Sequence, residues 1–169
     1  MKAYQLIQAI SPALREEIIS YLQTETREAF RTAIQQIAAQ RKFRPQFIQQ
    51  KNRAQQAAWL ADNLRIKMFD GVTEQLLQLW LLKGKTAMLG AFLDAAGVKH
   101  EKGQVDDLPE ELTATQVNEG IDAMLKDNSG EQIAVYLTLF QGQRPGGWSA
   151  VAEALEKREE LKLAAPTQA

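Results

Sequence analysis

The sequence predicts an all-α fold, a compact bundle of about seven helices, on three observations. Apolar residues recur every three or four positions and nowhere alternate over a useful length. Helix start signals stand at Ser11-Pro12, at Thr113 with Gln116, and at Ser129 with Gln132. Between them, Pro45, Gly84, Gly97 and Arg144-Pro145-Gly146-Gly147 punctuate the chain where helices must stop. With 169 residues, 45% of them apolar and 24% charged, the chain can bury a core without staples. Residues 1–163 are therefore expected as a single helical domain, and 164–169 as a disordered tail.

The first helix is expected from Ser11-Pro12, because serine can accept a free backbone N–H and proline loses nothing in the first turn. Leu14, Ile18, Leu22, Phe30, Ala33, Ile34 and Ile37 then trace one face, as one long helix or as two broken near Thr24. Pro45 ends that segment and opens the next helix, whose stripe runs through Phe47, Ala54, Ala57, Ala58, Ala61, Leu64 and Met68. Alanine on that stripe points to close helix–helix packing. Asp70-Gly71 reads as a turn before Leu76–Leu82, a helix apolar on most sides and hence central. Gly84 stops it, Ala87–Ala96 follows, and Gly97 stops that helix in turn. Residues 98–112 form the longest irregular stretch. Two capping boxes then open helices through Val117–Leu125 and Ile133–Phe140, and Ser149 begins the last. Leu82–Leu93 and Leu125–Leu139 echo each other as a weak helix-pair repeat, two units where a solenoid needs about three.

Composition removes several function classes. There is no cysteine, so disulfides, thiolate metal sites and cysteine nucleophiles are excluded. One histidine leaves zinc only carboxylates, and Asp106, Asp107, Glu110 and Glu111 lack the spacing of a calcium loop. No cofactor and no metal are expected. No apolar run approaches the ~20 residues that span a bilayer, so no membrane partner is expected, and the cytoplasm is the default location. Gly84-Lys85-Thr86 resembles the end of a phosphate loop, but Leu79 stands where the earlier glycine belongs; a helix–helix joint is the better reading.

Charge segregation is the main lead. From Ala29 to Ala61 there is no Asp or Glu, against Arg31, Arg41, Lys42, Arg44, Lys51, Arg53 and eight glutamines. From Glu101 to Glu131 nine acids face two lysines. Such separation equips a protein to bind a polyanion, a partner or itself. Arg41-Lys42-Phe43-Arg44 sets an aromatic among cations, able to hold phosphate and stack on a base. A sequence pI near 5.9 argues against a dedicated nucleic-acid binder. Arg31, Lys51 and Arg53 point in different directions on a helix and add field rather than a site. The expected contact residues are Arg41, Lys42, Phe43, Arg44 and Lys51, with Trp148 either an exposed anchor or a staple of the last helix. Trp59 and Trp80 read as core.

Three functions follow in order. The first is a non-catalytic helical interaction domain (adaptor, regulatory subunit or homo-oligomer), with a protein partner or a second copy in a homodimer. The second is nucleic-acid binding through Arg41–Arg44. The third is an enzyme with an acidic site near His100, which needs a pocket bringing that ring to Asp106 or Glu110.

Overall fold

The structure, a computed structural model, describes residues 1–166. The part of the expected tail at 167–169 lies outside the described residues, and 164–166 have no regular structure. Among the described residues there are ten α-helices, two short 3-10 helices and no strand. The all-α expectation holds, while the count of about seven does not. Three helices account for the difference. The residues before Ser11 form a helix of their own, the long segment divides at Thr26, and the helix opened by Pro45 divides at Asn52.

The chain divides into two compact units, Met1–Trp80 and Leu81–Ala165, the boundary falling inside one helix. The first unit holds α1 (Ala3–Ala9), α2 (Pro12–Glu25), α3 (Arg27–Gln40), α4 (Pro45–Gln49) and α5 (Arg53–Leu64). A 3-10 turn at Lys67–Phe69 leads into α6 (Asp70–Gly84). Asp70 and Gly71, expected as a turn, are thus the first residues of a helix. Asp70 accepts the Tyr4 N–H, and the buried Thr73 hydroxyl donates to the carbonyls of Leu64 and Phe69. These bonds tie the turn to the end of α5 and to α1.

α1 and α2 meet at Ser11, whose Oγ accepts the Leu14 N–H at 3.2 Å. Arg15 reaches back to the Ile7 and Ile10 carbonyls at the end of α1, a cation on the negative pole of a helix. α2 stops at Thr26, whose backbone leaves helical geometry at φ −127° and ψ 54° and whose hydroxyl bonds to the Leu22 carbonyl instead of capping the next helix. Ile18, Leu22, Ile37, Ile48, Leu60, Leu64 and Phe69, all nearly inaccessible, fill this core.

The second unit continues from α6 through α7 (Thr86–Ala95), α8 (Ala114–Leu125), α9 (Gly130–Gly142) and α10 (Ser149–Lys157), with a 3-10 turn at Glu159–Leu161. Both expected capping boxes form, at Thr113/Gln116 and at Ser129/Gln132. α7 and α8 approach so closely that a Cβ on Gly120 would come within 2.4 Å of the Phe92 ring. Phe92, Tyr136 and Phe140 pack with ring centroids 5.7 Å apart. Trp148 stacks on Phe140 at 4.6 Å. Burial without a hydrogen-bond partner holds the Tyr136 phenol well above its ordinary ionisation range.

The weak helix-pair repeat does not carry through. Its first joint is the single residue Lys85, and its second is the longer link 126–129. No described helix is long and apolar enough to cross a membrane.

Candidate functional site

The expected contact residues lie where α3 ends and α4 begins. α3 closes with two hydrogen bonds, from the Phe43 N–H to the Ala38 carbonyl at 2.8 Å and from the Lys42 N–H to the Ala39 carbonyl at 3.1 Å. That closure needs a left-handed residue next to the helix end, and Lys42 supplies it at φ 58°. Glycine is the usual occupant, because a Cβ crowds the following carbonyl there. Pro45 then starts α4 at once.

Arg41, Lys42, Phe43 and Arg44 are all exposed. Arg41 is only half free. Its guanidinium donates to Asn63 Oδ1 at 2.7 Å and lies 5.3 Å from the Phe43 ring. Asn63 is itself buried and donates to the Trp59 carbonyl, so it is a fixed acceptor rather than a mobile one. The side chains of Lys42 and Arg44 have no hydrogen-bond or ion-pair partner among the described residues. Lys51 sits 5.1 Å over the ring of Phe47, which is 61% exposed. Each such cation–ring contact contributes ~0.5–1 kcal/mol at a surface and orders the pair. The joint therefore presents cations and aromatic rings in alternation, and among the described residues no carboxylate partners Arg41, Lys42, Arg44 or Lys51.

Trp148 is elsewhere and buried, at 3% exposure. Its indole N–H donates to the Pro109 carbonyl at 2.9 Å, and Gln141 clamps its backbone N–H and carbonyl from both sides. A ring so enclosed cannot be a surface anchor. It staples the start of α10 to α9, and Trp80 is likewise core.

His100 is tied into its own loop. Its Nδ1 accepts the Gly103 N–H at 3.0 Å, which leaves the proton on Nε2 to be donated to Asp94 Oδ1 at 2.7 Å. Lys102 and Gly103, both at positive φ, turn a tight hairpin closed by Glu101 and Gln104. Asp106 and Glu110 are not among the partners of the ring. With both nitrogens occupied, the imidazole has neither a free lone pair nor a free N–H for proton transfer. At Gly84-Lys85-Thr86 the Lys85 N–H bonds to the Leu81 carbonyl and the Thr86 hydroxyl to the Leu82 carbonyl, so the segment is a helix–helix joint.

Two of the cavities in the first unit border α5. One, of about 530 Å³, lies along α2 and α5 and is lined by Ile19, Ala54, Ala57, Ala58 and Ala61, with Arg15, Glu16 and Arg53 at its polar margin. The alanine stripe thus lines an open groove instead of a tight helix contact. The other, of about 520 Å³, gathers Arg27, Arg31 and Arg53. Arg31 and Arg53 diverge if placed on one helix, but they belong to α3 and α5, which bring them to the same cavity. The available signal was the spacing of Arg27 and Arg31, one helical turn apart on a single face.

Comparison with known proteins returns no matching family model, no matching curated sequence and no matching solved structure. The class of protein is defined by fold and surface alone: an all-helical chain whose acid-free segment carries a cationic joint with no carboxylate partner among the described residues.

Proposed function

We propose that this protein is a non-catalytic interaction module that docks an acidic segment of a partner protein on the joint between α3 and α5. The observation that carries the reading is the joint itself. Lys42 and Arg44 stand exposed without counterions among the described residues, beside Phe43 and Phe47, in a segment free of acidic side chains. Exposed cations next to exposed rings can take a peptide that mixes carboxylates with apolar side chains. The alanine-lined groove along α2 and α5 gives a helical partner a second place to rest its apolar face. A second copy of the chain is one such partner, through its own acidic stretch.

Nucleic acid is the second reading, favoured by the same alternation of cations and rings. It is weaker on two counts. One face of Phe43 already carries Arg41 and one face of Phe47 carries Lys51, and the chain as a whole is slightly acidic. An enzyme centred on His100 would need a ring free to move a proton, which the Asp94 and Gly103 bonds oppose.

The test is capture from native lysate on the immobilised protein, with and without nuclease, beside the R41A/K42A/R44A variant. The expected result is a protein partner that survives nuclease, is released by salt and is absent from the variant. Binding that disappears with nuclease transfers the joint to nucleic acid. Equal capture by the variant removes the joint as the site.

A further inference from the structure

The cavity of about 520 Å³ in the first unit has a composition that the interaction reading does not use. Arg27 and Arg31 stand on successive turns of α3, and Arg53 enters from the first position of α5. No Asp or Glu lines the cavity. Glu28, three residues before Arg31, forms no ion pair with it, and neither the Arg27 nor the Arg31 guanidinium has a hydrogen-bond or ion-pair partner among the described residues. Like charges one turn apart repel, and a cation at the first position of a helix opposes the helix dipole. Helix stability therefore does not account for placing both there.

Arg53 is held in place before any ligand arrives. Its guanidinium donates to the Thr24 hydroxyl at 2.6 Å and to Gln23 Oε1 at 3.4 Å, while the Gln23 amide donates to the Arg53 carbonyl at 2.9 Å. The remaining wall is amide and apolar. Gln35 and Gln49 each bring a group that can both donate and accept, Gln56 brings its amide oxygen while its nitrogen donates to the Gln49 and Lys51 carbonyls, and the buried Phe30 and Ile34 give a carbon floor.

We propose that this cavity binds a small phosphorylated molecule that also carries hydroxyl groups, in the class of sugar phosphates and nucleotides with two or more phosphate charges. Three guanidinium groups with no internal counterion match several phosphate oxygens, and guanidinium forks bind them in pairs. Glutamine amides suit hydroxyls, which need both a donor and an acceptor. The apolar floor takes one face of a ring. The volume falls within the ~300–1,000 Å³ of small-molecule pockets, which favours a discrete ligand over a polymer backbone.

Isothermal titration calorimetry of the whole chain with pyrophosphate and with a sugar bisphosphate tests this, using the unphosphorylated sugar as the control. Both phosphorylated probes should bind, more weakly as salt rises, and the sugar alone should not. R27Q/R31Q should weaken binding about tenfold or more, and R31Q alone should weaken it less, since each removes charge-assisted hydrogen bonds. Both residues project from the surface and their charges do not favour the helix, so unchanged helicity and an unfolding midpoint no lower than that of the wild type should accompany the loss. None of Arg41, Lys42 and Arg44 lines the cavity. The R41A/K42A/R44A variant should therefore titrate like the wild type, and failure at one site leaves the other standing. No binding of either probe at low salt would overturn the proposal. So would equal binding by R27Q/R31Q, or a short single-stranded oligonucleotide that outcompetes both probes.

Discussion

Two joints in this chain share ingredients and are built oppositely. Arg41-Lys42-Phe43-Arg44-Pro45 follows α3, and Arg144-Pro145-Gly146-Gly147-Trp148 follows α9. In the second, the left-handed positions belong to glycines, Gly146 at φ 77° and Gly147 at φ 60°. Its aromatic is buried and hydrogen-bonded, and Arg144 donates to the Glu110 carbonyl. In the first, the left-handed position is a lysine, the aromatic is 42% exposed, and the side chains of two of the cations bond to nothing described. One joint is arranged to hold the fold. The other forgoes stabilising choices open to it, and what it gains is exposed charge beside exposed rings.

The largest effect should come from the two aromatics. Trp148→Ala is expected to lower stability by about 3–5 kcal/mol, because it empties a stacked, buried site and leaves the Pro109 carbonyl without its indole donor. Phe43→Ala should cost no more than about 1 kcal/mol, the worth of its exposed contact with Arg41. Urea unfolding of both variants measures the contrast. Similar losses at the two positions would mean that the first joint is structural too.

Glycine substitutions give the next contrast. At Gly147 an added Cβ would lie 2.3 Å from the Gln141 amide, so Gly147→Ala must both strain the backbone and push the clamp aside. A loss of about 2 kcal/mol or more is expected. Gly97 ends α7 at φ 70° with nothing within 4 Å of the added carbon, so Gly97→Ala isolates the backbone cost at about 1–2 kcal/mol. Equal losses at the two sites would show that the Gln141 clamp contributes little.

What could be read in advance follows from how local each cause is. The capping boxes at Thr113 and Ser129 act over three residues, and both were legible and both form. The equivalent box at Asn52 and Gln55 carries the same signal, yet Pro45 and the alanine stripe masked it by suggesting one continuous helix. The ring of His100 finds Asp94, six residues back across the end of α7, where a search among its loop neighbours cannot look. The exposed joint was legible because an acid-free run leaves its cations no local partner. The arginine cavity was not, since Arg31 and Arg53 meet only through the packing of α3 against α5.

The smallest stability change is the most telling about function. α3 and α7 end with the same pair of closing hydrogen bonds, Phe43 to Ala38 and Lys42 to Ala39 in one, Val98 to Leu93 and Gly97 to Asp94 in the other. The end of α7 uses glycine and buries Val98; the end of α3 uses lysine and leaves Phe43 in solvent. Lys42→Gly should therefore stabilise the protein by about 0.5–1 kcal/mol, relieving the left-handed strain net of the added freedom of the unfolded chain. Under the interaction reading the same variant should hold its partner less tightly, with a shallower salt dependence, because one cation has left the joint. A stabilised protein with weakened capture means that Lys42 is kept for its charge at a cost to the fold. A stabilised protein with unchanged capture would make the lysine incidental and leave Arg41 and Arg44 to carry the contact.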